Sequence, residues 1–266
     1  VGARRNSPLV VGLGEGGNFL ASDVSAFVEH TRSALELGQD QIVIMKADSV
    51  VVTDFSGNVV EAKPFTIDWD ASSAEKGGFE WFMQKEISEQ PKAVADSLLG
   101  RIDESYRIKL DELSIDPVLL QHINKVIVVA CGTAAYAGMV AKYAIEHWTH
   151  LPVDVELASE FRYRDPIVGP DSLVIAISQS GETMDTLMAL RYAKTQGALT
   201  LAICNTVGST IPRESDAVIY TYAGPEIAVA STKAFLTQIT ATYLVGLFLA
   251  QVRGAMFEDE IRSILT

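Results

Sequence analysis

The stretch "DSLVIAISQSGETMDTLMALRYAKTQG" (residues 171–197) opens on a buried-looking run. The run stops abruptly in Ser178, Gln179, Ser180, Gly181, Glu182 and Thr183, after which "MDTLMALRYAKTQG" (184–197) takes up helical spacing. A near-continuous apolar strand that hands over to a helix is the mark of a parallel strand covered on both faces. The pattern repeats outward from it. "KVIVVAC" (125–131) is a strand and "AAYAGMVAKYAIEHW" (134–148) a helix. "VDVELAS" (153–159), "LTLAICN" (199–205) and "AVIYTYA" (217–223) are strands, and "STKAFLTQITATYLVGLFLAQ" (231–251) is the last helix. Residues 125–266 are therefore expected to form an open, doubly wound α/β domain with a parallel sheet.

Upstream the character changes. In residues 1–66, "SPLVVGL" and "NFLASD" flank the turn "GEGG", and residues 41–65 give three short strands around "KADS" and "FSGN". This reads as a β meander without helical crossovers. At this size it folds alone only marginally, so it reads as the tail of a larger β-rich domain. Its apolar residues Val10, Leu13, Ile42, Ile44, Val51 and Val59 are then expected to be only partly covered. "GLGEGGN" (12–18) superficially matches a dinucleotide loop, but no helix follows it, which favours a hairpin turn. Residues 67–124 are expected to be a linker with leading helices. "EKGGFEWFMQKEISEQPKAVADSLLGRI" (75–102) carries helix formers, with Pro91 breaking or restarting the helix.

Of the 266 residues 48% are hydrophobic, and the formal net charge is −13. That acidity argues against a nucleic-acid or anionic-membrane surface. It also requires any phosphate to be held by local dipoles against an unhelpful global charge. Cys131 and Cys204 sit in apolar strand runs, without a CxxC or Cys/His cluster for a metal, and Cys131 reads as a buried packing residue. His30, His122, His147 and His150 lack metal spacing, and a reducing cytoplasm fits the thiols. The apolar stretch 234–252 is long enough to raise a membrane span, but Thr237, Gln238, Thr240 and Thr242 interrupt it, favouring a buried core helix. The start, "VGARRNSPLV", reads as internal to a longer chain.

In open α/β sheets ligands bind at the carboxyl ends of the strands. Three such places carry hydroxyls or glycine: "CGTA" (131–134), "SQSGET" (178–183) and "VAST" (229–232). Unpaired N–H groups at a helix start attract an anion, hydroxyls add donors, and glycine lets the backbone approach. "SGET" taken alone is also a capping pattern. Three such ends in one sheet favour a polar small-molecule site. "ELASEFRYRDP" (156–166), with Glu160, Arg162, Arg164 and Asp165, reads as a solvated ion-pair loop or as an interface or site-supporting loop.

"CGTA", "ELASEFRYR", "ISQSGETMDTL", "AICN" and "GPEIAVASTKAF" resemble the glutamine–fructose-6-phosphate aminotransferases, and "SQSGET" alone resembles the sugar-isomerase (SIS) domain family. "RRNSPLVVGLGEGGNFLASD" is similar to the end of their glutaminase domain and "GGFEWFMQKEISEQP" to their interdomain segment. The resemblance implies residues 1–66 as part of an N-terminal nucleophile glutaminase domain, 67–124 as linker and leading helices, and 125–266 as the first, flavodoxin-like SIS domain. It implies conversion of fructose 6-phosphate and glutamine to glucosamine 6-phosphate and glutamate, without a cofactor, in a cytoplasmic homodimer. Sugar phosphate would be bound by Cys131, Gly132, Thr133, Ser178, Gln179, Ser180, Thr183, Val229, Ala230 and Ser231. Family members often carry Ser after "CGT"; here Ala134 stands in its place. The family's nucleophilic cysteine and its second SIS domain, with the acid–base residues, would lie outside this chain. By this reading no residue here is catalytic, and the chain alone is inactive. A sugar-phosphate-sensing SIS module and an aldose–ketose SIS isomerase are the alternatives, and the glutaminase-like residues 1–66 argue against both.

Overall fold

Contacts divide the chain into two units, Val1–Gly77 and Gly78–Thr266. The computed structural model describes residues 1–5, 9–22, 24–67 and 76–266. Ser7 and Pro8 of the expected strand 7–13, Asp23 at the end of the next one, and residues 68–75 at the head of the expected leading segment lie outside the described residues.

The first unit contains seven described strands: β1 (Gly2–Arg4), β2 (Val10–Gly14), β3 (Gly17–Ala21), β4 (Ser33–Glu36), β5 (Gln41–Met45), β6 (Val50–Asp54) and β7 (Lys63–Thr66). They form two antiparallel sheets in the orders β1-β5-β6 and β3-β2-β4-β7. The expected meander is thus corrected, since β4 lies beside β2 rather than β3 and β1 joins β5. Its sequence signal was thin: β1 and β4 are three and four residues long. "GLGEGGN" is a hairpin, with Gly14 opposite Gly17 across a two-residue turn. Alternation explains the packing. Val11, Leu37, Val43 and Val52 form one core shared by both sheets, while Phe27, Val28, Ala34 and Ile67 cover the other face of the larger sheet. Ile44, Val51 and Val59 remain exposed, whereas Val10, Leu13 and Ile42 are half-buried.

The second unit opens with α1 (Phe82–Leu98) and α2 (Pro117–Gln121). Pro91 does not break α1, contrary to expectation. Proline removes one N–H from the ladder, yet contacts on either side hold the helix in register. Glu86 and Glu89 bond partners beyond residue 220, and Ala93 and Ser97 are buried. Then follow β8 (Lys125–Ala130), α3 (Gly132–Thr149), β9 (Val153–Leu157), α4 (Ala158–Phe161) and β10 (Ser172–Ser178). The unit ends with α5 (Met184–Thr195), β11 (Leu199–Cys204), α6 (Thr210–Glu214), β12 (Ala217–Tyr220), α7 (Lys233–Arg253) and α8 (Glu258–Leu265).

The five strands are parallel in the order β12-β11-β10-β8-β9. This is a doubly wound sheet whose direction of winding reverses between β8 and β10. Side chains alternate between its faces. Leu173, Ile175 and Ile177 of β10 join α3 and α7 on one side, and Val174 and Ala176 join α4, α5 and α6 on the other. Every residue of β10 is buried, and each large aliphatic side chain so placed contributes about 1.5–3 kcal/mol. Helix α7 is long and apolar enough to cross a membrane by length and composition. It packs on α3 and α1 and leaves none of its large apolar side chains exposed. Gly246 makes that approach close: a Cβ there would stand 2.9 Å from Ile145 Cγ1 and 3.1 Å from Trp148 Cε3.

Amide hydrogen exchange is expected to be slowest at residues 173–177, buried in the middle of the parallel sheet, and faster by orders of magnitude in β6, an edge strand with Val51 exposed. Equal protection of the two strands would contradict this ranking.

Candidate functional site

The switch between β8 and β10 brings two of the three loops together. Ala130 lies opposite Ile177 in the parallel ladder, so the chain leaves both strands at the same level. Cys131 caps α3 through its backbone, and Ser178 opens the loop to α5. The Thr186 hydroxyl of α5 faces Cys131 Sγ at 4.0 Å, which ties the two loops across the crevice.

The 178–183 loop is folded on itself by its hydroxyls. Ser178 Oγ accepts the Gly181 N–H at 3.0 Å and lies 2.9 Å from Thr183 Oγ1. Ser180 Oγ accepts the Glu182 N–H at 3.2 Å. Ser178 is buried, whereas Gln179, Ser180 and Thr183 are half-buried. Gly181 has φ of +67°, and a Cβ there would fall 1.9 Å from Ser209 Oγ and 2.8 Å from Ser209 Cβ. Only glycine meets both conditions.

A second layer clamps the loop. Asn205 N–H and the Thr206 hydroxyl donate to Gln179 O at 3.1 and 3.5 Å, and Ile211 N–H donates to Gly181 O at 2.9 Å. Glu182 turns away from α5: its Oε1 accepts from Thr210 N–H at 2.8 Å and from the Thr210 hydroxyl at 2.9 Å, capping α6. The capping-box reading of "SGET" therefore does not describe α5. Thr183 makes no side-chain cap to that helix, and Cys131 makes none to α3. Two helices start at the crevice with no N-cap side chain on their first-turn N–H groups, the condition for anion binding.

The remaining loop is arranged differently. Val229 and Ala230 are exposed, and Ser231 is half-buried. Helix α7 begins at Lys233, and Glu226 occupies its start, accepting from Ser231 Oγ (2.9 Å), Thr232 N–H (2.8 Å) and Ala234 N–H (3.1 Å). Val229–Ser231 share no hydrogen bond with residues 178–183 among the described residues. They are linked indirectly: Asn205 Oδ1 accepts from Ala223 N–H and the Thr221 hydroxyl, and Asn205 Nδ2 donates to Gly224 O. Gly132 and Thr133 are exposed, Cys131 is half-buried, and Ala134 is buried on α3. Burial pushes the Cys204 thiol up to about 12, which leaves it a packing group.

In the 156–166 segment Arg164 forms a fork with Glu156, Arg162 stacks on Tyr163 at 4.5 Å, and Tyr192 donates to Asp165 at 2.9 Å. These are surface pairs that fix the end of β9. Sequence reasoning did not find the Glu182, Asn205, Glu226 or Glu86 contacts. "AICN" and "GPEIAVAST" contain two of these residues, but nothing in their spacing names the carboxylate or amide partner.

Residues 119–247 match the family model of the SIS domain. The whole chain is similar to glutamine–fructose-6-phosphate aminotransferase [isomerizing] of Corynebacterium efficiens, with 68% identity over 265 residues. It is 67% identical to that of Streptomyces coelicolor. All of this chain is covered in both alignments, but only 42% and 43% of those relatives. The chain thus spans about two fifths of the length of the curated relatives it matches. Among solved structures, the C-terminal domain of glucosamine-fructose-6-phosphate aminotransferase from Francisella tularensis superposes with a TM-score of 0.68 at 43% identity, covering 71% of this chain and 54% of that one.

Gly181→Ala is expected to destabilise the second unit by at least about 1–2 kcal/mol, the cost of the left-handed backbone alone, before the clash with Ser209 is relieved. Urea denaturation of the variant reads this. An unchanged midpoint would mean that the loop can re-form without its turn.

Proposed function

We propose, from the premise that residues 119–247 are an SIS domain within a chain related throughout to the glutamine–fructose-6-phosphate aminotransferases, that the crevice between β8 and β10 holds the phosphate of a hexose phosphate. The observation that carries this reading is the pair of helix starts without side-chain caps, α3 and α5, beside the half-buried hydroxyls of Ser180 and Thr183. A phosphate there would receive helix N–H groups and the positive ends of two helix dipoles. It would need no cation from the loop, which contains neither Lys nor Arg. Ser180 Oγ accepts from Glu182, and its hydrogen is left to donate outward. Ser178 is committed inward and acts by shaping the turn. Cys131, Gly132, Thr133, Gln179 and the segment Val229, Ala230 and Ser231 would contact the sugar.

The reaction served is the conversion of fructose 6-phosphate and glutamine to glucosamine 6-phosphate and glutamate. In this reading residues 1–66 belong to the glutamine-hydrolysing domain, 67–124 are linker and leading helices, and 125–266 are the first SIS domain. The working assembly would be a cytoplasmic homodimer that also contains the nucleophile and acid–base residues. This chain's own part is to bind and orient the sugar phosphate, and none of its residues is assigned a proton transfer.

Titration calorimetry with fructose 6-phosphate tests the assignment. Ser180→Ala and Thr183→Ala should each lower affinity about 10- to 100-fold, since a hydrogen bond to a charged group is worth roughly 1.5–3 kcal/mol. Affinity unchanged by both substitutions would return the loop to a purely structural role.

A further inference from the structure

The connection from β12 to α7, residues 221–232, has no regular secondary structure of its own. Three side chains fasten it in turn. Asn205 holds its first part, at Thr221, Ala223 and Gly224. Glu226 holds its last part, at Ser231, Thr232 and Ala234. The middle is fastened from outside the sheet. Glu86 of α1 accepts from Ile227 N–H at 2.6 Å and from Ala228 N–H at 3.1 Å, through the single oxygen Oε1. Those two amides immediately precede the exposed Val229 and Ala230.

Glu86 is only 2% exposed, and its second oxygen, Oε2, is buried without a hydrogen-bond partner. A buried carboxylate with half its acceptor capacity unused is costly, and an apolar residue facing α7 would fill the same space more cheaply. Its neighbours on α1 reinforce the arrangement. Glu89 accepts from the buried Lys233 Nζ at 2.6 Å, at the first residue of α7, and Lys85 lies 3.6 Å from Glu89. Ser97, three turns on, donates its hydroxyl to Thr221 O. Helix α1 therefore grips this connection at Thr221, Ile227 and Ala228, and the first residue of α7 at Lys233.

We propose that Glu86 is a positioning residue for the sugar-phosphate site, fixing the backbone at 227–228 and through it the placement of Val229, Ala230 and Ser231. This rests on the hexose-phosphate reading above. It extends the site to a helix that lies before the matched SIS domain, at residues 82–98 rather than 119–247. The role is one of geometry: Glu86 touches no ligand, and its side chain stays covered behind the loop it holds.

Hydrogen exchange and calorimetry on the 266-residue chain, compared among wild type, Glu86→Ala and Glu86→Gln, test it in two arms. In Glu86→Ala, exchange at Ile227 and Ala228 should accelerate at least tenfold while residues 173–177 keep their protection, and fructose 6-phosphate should bind three- to tenfold more weakly. Glu86→Gln keeps a carbonyl acceptor for both amides and should restore most of the protection and of the affinity. It also carries the test if the alanine variant fails to fold: protection and affinity close to wild type then support the role, and their loss would overturn it. Unchanged exchange at 227–228 in Glu86→Ala overturns the positioning role. Accelerated exchange with undiminished affinity likewise refutes any link from Glu86 to the site. Failure of the wild-type chain to bind fructose 6-phosphate refutes the hexose-phosphate reading instead, and the exchange arm still decides whether Glu86 fixes this backbone.

Discussion

The parallel ladder between β8 and β10 sets Ala130 beside Ile177, and everything at the crevice follows from that register. The first strand pairs with the third, while the second, β9, lies outside on the far edge. Connections leaving β8 and β10 must therefore run to opposite faces, with α3 on one side and α5 on the other. Their divergence makes the crevice at which open α/β sheets bind ligands. Both helices start at its rim. A register shift of one residue would turn the apolar side chains of β10 onto the wrong faces. The geometry of the site is thus fixed by the same alternation that builds the core.

For an acidic chain, the proposed binding of an anion through neutral groups depends on short-range order. Helix-terminal partial charges act only within the first turn, and a hydroxyl must be aligned to donate. The loop cannot be left to find its shape around a ligand, and the contacts from 205–211 remove that freedom. Glu182 illustrates the division of labour. A carboxylate in an anion site would repel the ligand, but here it is turned onto α6 and spent as a cap. Helix α6 is in turn fixed to α5 by the Arg191–Glu214 fork, at 2.7 and 2.6 Å. The Arg191 hydrogen bonds hold the Glu214 carboxyl below its ordinary range. Its contribution to stability is accordingly present above the ordinary carboxylate range and lost as pH falls through the lowered value, so the brace is intact at neutral pH.

The parallel sheet was legible because each of its strands is a buried apolar run and each crossover has its own period; five strands and three long helices were placed within a few residues of their observed ends. The two loops of the switch point were legible for the same reason, since a strand end can be read from the residue where the apolar run stops. Other features had no one-dimensional trace. Strands β1 and β4 are short, and their pairing with β5 and β2 is set by contacts between distant residues. Pro91 misled because a local rule yielded to anchoring on both sides of it. Most of all, which partner each carboxylate takes is decided in three dimensions: Glu86 and Ile227 are separated by 141 residues.

That separation bears on where the site ends. Strand β12 is the edge of the sheet, and an edge leaves carbonyl groups that the ladder cannot satisfy. Two donors meet it there: Arg101 Nη2, from the turn after α1, donates to Tyr220 O at the end of β12 at 2.7 Å, and Ser97 of α1 donates to Thr221 O just past the strand. Arg101 is itself buried and held by Glu112. Helix α1 is thus already beside the chain as it turns towards α7, and Glu86, three turns nearer the start of that helix than Ser97, reaches backbone groups further along the connection. Helix α1 and the turn after it thus meet both the end of β12 and the backbone that leads to Val229, Ala230 and Ser231.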